Sequence, residues 1–241
     1  MTLNLASKHT PQLINLEIPV CSRQPFKPYL RSLFMIYFVN ILALISLIVV
    51  PLQANAIPMG VDPSHSSVEF QIKHLASNVT GRFESFSGSF DFDPKKPEAS
   101  LKDVKITIAA KSINTSSVKR DEHLRNPDFF DVTKFEAITF VGKSVKKKGK
   151  NKFELSGDLT LRGVTKPATW DLEYLGSTEN PFVKGEEVFS FTGKTKLNRK
   201  DFNMVWNKAL DKGGYILGDE VTVTANIEAN PADKPIEAAA K

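Results

Sequence analysis

Between Val61 and Asn230 apolar and polar residues alternate with a period of two. Val68, Phe70, Ile72 and His74 share one face, and Ser67, Glu69, Gln71 and Lys73 share the other. The same alternation runs through Val104, Ile106 and Ile108, through Phe153 to Leu161, through Trp170, Leu172 and Tyr174, through Phe189 to Leu197, and through Val221 to Ile227. Period two describes strands with one buried and one wet face. Eight strands are predicted, at about 66–74, 80–92, 101–110, 136–145, 152–161, 167–175, 187–197 and 219–228. Turn sequences separate them: Asp93 to Pro97, Lys146 to Asn151 and Arg162 to Pro167. The lysine run 146–150 reads as a solvated hairpin tip rather than a polyanion site, because its length fits a turn. One segment breaks the pattern. Ser116 to Asn126 is helix-compatible, Pro127 to Phe130 follows as a short second turn, and together they form a long crossover between the third and fourth strands.

Eight strands with apolar inner faces make a sandwich or a closed barrel. Gly142, Gly157, Gly193 and Ala225 lie on those inner faces. Small residues there remove side-chain volume, so a cavity is expected inside. An eight-stranded barrel is about the size that holds one small ligand.

The first 56 residues have a different pattern. Arg23, Lys27 and Arg31 lead into the apolar run Leu33–Val50, Pro51 follows, and then Ala54-Asn55-Ala56. These are the basic, apolar and small-residue parts of a secretory signal peptide, with cleavage expected after Ala56. A retained membrane anchor is the other reading, since the run is close to the ~20 residues that span a bilayer. The A-x-A site favours cleavage. Cys21 precedes the apolar run, which excludes a lipoprotein. Residues 57–230 are then the barrel domain and 231–241 a polar, Ala-rich mobile tail. The protein is expected to be periplasmic or secreted.

Composition changes the picture in three ways. Without Lys8, Arg23, Lys27, Arg31 and Glu17 the formal charge of +5 becomes +2, which argues against nucleic acid as a partner. The only Cys leaves with the signal, so no disulfide framework remains. Of 17 Phe, only Phe26, Phe34 and Phe38 precede the barrel. The others bring much ring surface to one β domain.

Four stretches resemble the YceI family, the polyisoprenoid-binding, lipocalin-like YceI domains. They are His65 to Phe70 with His74 and Val79 to Gly88; Ser112 to Thr115 with Arg120 to Leu124 and Asp128 to Asp131; Gly157 to Pro167; and Leu197 to Met204 with Leu217 to Val221. Each is weak alone, and their order across about 165 residues is what carries the resemblance. Such proteins usually have Gly before the Met of the fourth stretch, where this chain has Asn203. Asn tolerates a left-handed backbone, so the turn is expected to be kept. The resemblance implies an antiparallel barrel of lipocalin type, a long apolar pocket for an isoprenoid or similar amphiphile, and export.

In or beside these stretches lie Phe83, Phe86, Leu124, Phe129, Phe130, Phe202, Met204 and Trp206, the expected apolar ligand contacts. His74 points inward if its strand is regular. Arg120, His123 and Arg199 are candidates to meet a polar head group, because an Arg can pair with pyrophosphate or carboxylate. A structural Asp121–Arg199 ion pair holding the crossover to the barrel is the alternative. Catalysis is not expected: the chain has no G-x-S-x-G and no H-E-x-x-H. A zinc triad of His65, His74 and His123 is disfavoured by spacing, so no metal and no cofactor are expected beyond a lipid ligand. The expected partner is a hydrophobic small molecule; a homodimer is compatible, and membrane association is expected only with an uncleaved N-terminus. The competing readings are a solid interaction barrel without ligand and, behind it, a hydrolase or metal-binding protein. Interior volume separates a carrier from a solid barrel.

Overall fold

The computed structural model describes residues 56–211 and 213–232. The expected signal segment up to Asn55 and the tail from 233 onward lie outside the described residues. Three long strands are each broken into two segments. These are β1 (Ile57–Val61) with β2 (Ser67–His74), β3 (Ser77–Phe83) with β4 (Phe86–Phe92), and β5 (Lys102–Ala109) with β6 (Ile113–Asn114). Five unbroken strands follow: β7 (Ala137–Gly149), β8 (Lys152–Leu161), β9 (Val164–Glu179), β10 (Glu187–Asn198) and β11 (Leu217–Pro231). The hydrogen-bonded order is β1-β4-β5-β7-β8-β9-β10-β11, and β11 pairs back onto β1. Every pair is antiparallel, so the eight expected strands close into an eight-stranded antiparallel barrel. β11 also pairs with β2, and from there the sheet continues through β3 to β6 at the crossover end. The period-two pattern missed β1, whose five residues carry only Met59 and Val61 as buried positions.

The hairpin loops are shorter than the turn sequences suggest. β7 runs through the lysines to Gly149, and Lys150-Asn151 alone makes the turn. Arg162-Gly163 joins β8 to β9, and Pro167 sits inside β9 opposite Asp158. Arg162 and Gly163 both have positive φ, 50° and 70°. Two-residue turns of that hand match the strand twist and so let pairing continue to the tip. The lysines are neutralised across the strand pair: Lys148 meets Glu154 at 2.6 Å and Lys146 meets it at 3.8 Å.

Two short helices lie outside the wall. α1 (Pro97–Ser100) starts with Pro at its first position, where a missing N–H costs nothing. Ser100 is fully buried and exchanges hydrogen bonds with the Asp93 backbone. α2 (Val118–Arg125) forms the crossover. Asp121 in its first turn accepts from the Thr115 N–H (2.9 Å) and the Thr115 hydroxyl (2.5 Å), both buried. α2 stops before Asn126-Pro127, where proline disfavours a helical predecessor.

Inside the barrel the inward faces build two different interiors. At the end of the barrel away from the crossover, Phe92 meets Tyr174 and Phe191 at 5.0 Å and Phe189 at 6.1 Å, edge to face. Phe92, Phe153, Phe189 and Met59 are all at most 3% exposed. That end is packed solid. At the crossover end the inward side chains surround open space.

The glycine expectation holds at one position and fails at two. A Cβ on Gly157 would sit 2.3 Å from the Val141 carbonyl and 2.7 Å from the Phe140 ring. One on Gly142 would sit 2.9 Å from Val104 Cβ. These two residues face each other across β7 and β8, just before a register shift. They let two strands and their neighbours approach closely; they do not open the interior. Gly193 borders the cavity, with its nearest side-chain atoms, on Trp170 and Leu172, at 3.4 and 3.5 Å.

Candidate functional site: an apolar cavity under the crossover

The cavity has a volume of about 570 Å³, inside the usual range for small-molecule sites. Its wall comes from the alternating positions of nearly every strand. Val68, Phe70, Ile72 and His74 of β2 all face it, as do Val221, Val223, Ala225 and Ile227 of β11. Its floor is the upper surface of the packed end, including Phe90, Leu101, Val104 and Phe191. Its mouth is built from α2, the turn Pro127 to Phe130, and the loop that follows the 3₁₀ turn Arg199–Phe202. No Asp or Glu lines it among the described residues.

Eleven of the twelve expected site residues border this space: His74, Phe83, Arg120, His123, Leu124 and Phe129, together with Phe130, Arg199, Phe202, Met204 and Trp206. Phe86 does not. It lies just past the Glu84-Ser85 break, opposite Ile108, and packs into the wall instead. The aromatic residues of the mouth interlock. Phe83 and Phe130 meet edge to face at 5.7 Å. The His123 ring stands perpendicular to both Phe129 (5.1 Å) and Trp206 (5.0 Å). This joins the crossover to the mouth loop through one cluster of rings. The His123 Nε2 also pairs with Asp128 at 3.1 Å.

The alternative Asp121–Arg199 pair does not form. Asp121 is occupied by Thr115, and Arg199 by the mouth loop. Arg199 is 2% exposed. Its guanidinium donates to the carbonyls of Met204 (2.6 Å), Trp206 (2.8 Å) and Gly218 (2.8 Å), and to Asp219 at 3.1 Å. Burial pushes its pKa down, and the Asp219 carboxylate opposes that shift. An Arg stays charged regardless. The planar fork ties both ends of the 203–218 loop to one point, so its main work is to shape the mouth. Asn203 closes the 3₁₀ turn Arg199–Phe202 at φ 60°, ψ 21°, the left-handed geometry that the family resemblance leads us to expect.

Arg120 is split between two tasks. Its Nε donates to the Thr115 hydroxyl and one terminal nitrogen to the Thr115 carbonyl, each at 2.7 Å. The residue is exposed at the mouth, beside Lys119. Arg162 donates to the carbonyls of Asn203 and Pro127, linking the β8–β9 turn to both parts of the mouth. The sequence reading did not single out Arg162, Lys119 or Trp170. Arg162 carried no signal beyond its place in a matched stretch, since its partners are 35 and 41 residues away. The alternation did put Trp170 on the inward face. His65 pairs with Asp62 at 2.7 Å and does not join His74 or His123. Among the described residues no group of three His, Cys, Asp or Glu is placed to hold a metal ion.

A family model for the YceI-like domain matches residues 60–229. A UPF0312 protein of Vibrio vulnificus is 39% identical over 158 residues, covering 64% of this chain and 82% of its own. The crystal structure of the Campylobacter jejuni YceI protein is 32% identical, with a TM-score of 0.54 over 64% of this chain and 85% of that one. A polyisoprenoid-binding domain from Saccharophagus degradans has the same fold at 14% identity, with a TM-score of 0.51 over 73% of this chain and 99% of that one. Barrel, cavity and matched stretches thus agree along the same 170 residues, and the chain belongs to the YceI-like family.

Proposed function

We propose that the protein is an exported, non-catalytic carrier that holds one long-chain isoprenoid, of polyprenyl or quinone type, or a similar amphiphile. The observation that carries this reading is the cavity of about 570 Å³ with apolar walls and basic groups confined to its mouth. Each methylene moved from water into such a space contributes roughly 0.8 kcal/mol, so a chain of ten or more binds without polar contacts along its length. Lys119, Arg120 and His123 at the entrance suit a polar or anionic head. The polyisoprenoid-binding name of the Saccharophagus degradans domain supports an isoprenoid over other chains. Export rests on the sequence of residues 1–56, with cleavage after Ala56 delivering the barrel to the periplasm or the medium.

Native mass spectrometry of protein purified from its own host, followed by lipid extraction, tests the proposal. A co-purifying amphiphile of one chain class is expected. No bound lipid, together with no uptake of polyprenyl or acyl probes, overturns it in favour of an interaction barrel. N-terminal sequencing of the exported protein tests the cleavage site.

A further inference from the structure

Five of the ten exposed large apolar side chains among the described residues lie around the mouth. Leu75, Val118, Val205, Leu210 and Tyr215 are 50%, 74%, 65%, 38% and 64% exposed. Leu75 follows His74, Val118 lies between Ser117 and Lys119, Val205 between Met204 and Trp206, and Tyr215 precedes Ile216, so four of them adjoin residues that line the cavity. Backbone pairing ties Leu75, Leu210 and Tyr215 together. The Leu75 N–H donates to the Ile216 carbonyl at 2.8 Å and the Leu210 N–H to the Gly214 carbonyl at 3.0 Å. Ala209 and Tyr215 form a bridge.

Two of these residues occupy places where polar residues are the norm. The β2–β3 hairpin turns on Leu75-Ala76, where two-residue turns favour Asn-Gly. Leu75 is held there at φ 52°, a conformation bulky residues adopt at a cost. Val118 opens α2 facing solvent. A hydrophobic side chain kept outward at such positions calls for a surface to meet.

The charges beside the rim indicate which surface. Lys73, Lys119, Arg120 and Lys208 are exposed around it. The three lysines enter no ion pair with any described residue. At the opposite end Lys146 and Lys148 pair with Glu154, Lys147 with Glu98 and Lys152 with Glu173, while the exposed Lys95, Lys150 and Lys184 enter no ion pair with any described residue. Glu122 and Asp211 are exposed acids near the rim, as are Asp128, Asp201 and Glu220, of which Asp128 pairs with His123 and Glu220 with Lys196. Among the described residues no helix is long and apolar enough to cross a membrane.

We propose that the rim docks on an anionic lipid bilayer and sets the cavity mouth against it. Leu75, Val118, Val205 and Tyr215 enter the boundary between head groups and acyl chains, and the lysines face the anionic head groups. Each lysine near such a surface strengthens adsorption about fivefold. The purpose rests on the carrier reading: an amphiphile passes between bilayer and barrel without exposing its chain to water. Each methylene so protected is worth about fourfold in the population of the transfer path.

The test attaches an environment-sensitive dye to Val205→Cys or to Phe182→Cys, in full-length protein carrying Cys21→Ser. Phe182 is 93% exposed in the β9–β10 loop and serves as the control. With vesicles of phosphatidylglycerol and phosphatidylethanolamine, a blue shift is expected at position 205 and none at 182. Phosphatidylcholine vesicles are expected to give none at either. Lys73→Glu with Lys208→Glu is expected to weaken the response at 205 at least 25-fold. No shift at 205, equal shifts at both positions, or a response indifferent to the lysines overturns the proposal. So does a rim variant, Val205→Ser with Tyr215→Ser, that turns dimers into monomers and leaves vesicle binding unchanged, which would assign the rim to a second copy. Uptake of a fluorescent polyprenyl from detergent is measured in parallel. Uptake without docking overturns the docking alone, and docking without uptake overturns the carrier reading alone.

Discussion

The two ends of the barrel use the same residue types for opposite purposes. Away from the crossover, Phe92 is 1% exposed and meets four other rings, and no part of it borders the cavity. At the crossover end, Phe83, Phe129 and Phe130 also meet other rings edge to face or tilted, yet each keeps one side on open space. Ring packing at the closed end is therefore a stability device, and ring packing at the mouth is a shaping device. The difference lies in what holds the rings. The closed end relies chiefly on strand register, with Ser100 pinning the Asp93 backbone beside it. The mouth needs Arg199, Arg162, Thr115 and Asp121 to hold irregular backbone in place.

The strongest challenge to this contrast is Phe92→Ala. It is expected to cost about 3–5 kcal/mol of unfolding free energy, read by urea denaturation, with polyprenyl uptake by the folded fraction unchanged. Loss of uptake at full stability would erase the distinction between the ends. Arg199→Met reverses the pattern. Three carbonyls lose a charged donor, at a cost of about 2–3 kcal/mol, and uptake falls more than stability because the mouth loop loses its anchor. Arg199→Lys is not expected to rescue it, since a point charge cannot serve the fork's separate acceptors.

The glycines sharpen the comparison along the wall. Gly157→Ala is expected to destabilise by about 1–3 kcal/mol through overpacking. Gly193→Val has room for its Cβ, so stability stays within about 1 kcal/mol while uptake of a bulky probe drops. Thermal melts and probe titrations separate the two outcomes.

The smallest effect is at the β1–β2 break. Burial raises the Asp62 carboxyl, but hydrogen bonds from His65 and Ser64 outweigh it and hold the group below its ordinary value. The hydrogen bond to Asp62 raises His65. The Asp62 contribution is present above its unfolded pKa and is lost as pH falls through its lowered folded value. The His65 contribution is present below its unfolded pKa and is lost as pH rises through its raised folded value. The pair therefore stabilises in the window between those two folded values, centred on mildly acidic pH. His65 is 67% exposed, so solvent screens the pair to about 0.5 kcal/mol or less. Melts of His65→Ala across pH 3 to 9 should show the difference from the parent only there.

How much of this was legible beforehand varies by residue. The alternation placed His74, Trp170 and Leu172 on inward faces, because side-chain direction in a strand depends only on parity. The crossover helix was visible as a stretch without that parity. The left-handed turn at Asn203 was implied by the family resemblance and is kept because Asn tolerates that geometry. The pairing of Arg199 was not legible, because its acceptors are main-chain carbonyls, which every residue carries. The roles of Gly142 and Gly157 were misjudged for a related reason. An inward glycine makes space or admits a neighbour, and only the strand register that puts these two opposite each other decides between them.

The sequence by itself determined the strands, their inward faces, the crossover and the surplus of Phe, since each is local or periodic. Tertiary structure alone decided which Phe close one end of the barrel and which surround a cavity. Phe90 and Phe92 are two residues apart, share a face and differ in outcome: one borders the cavity and the other lies beneath its floor. Height along a barrel is set by strand stagger and closure, and those are properties of the pairing between strands rather than of any strand alone.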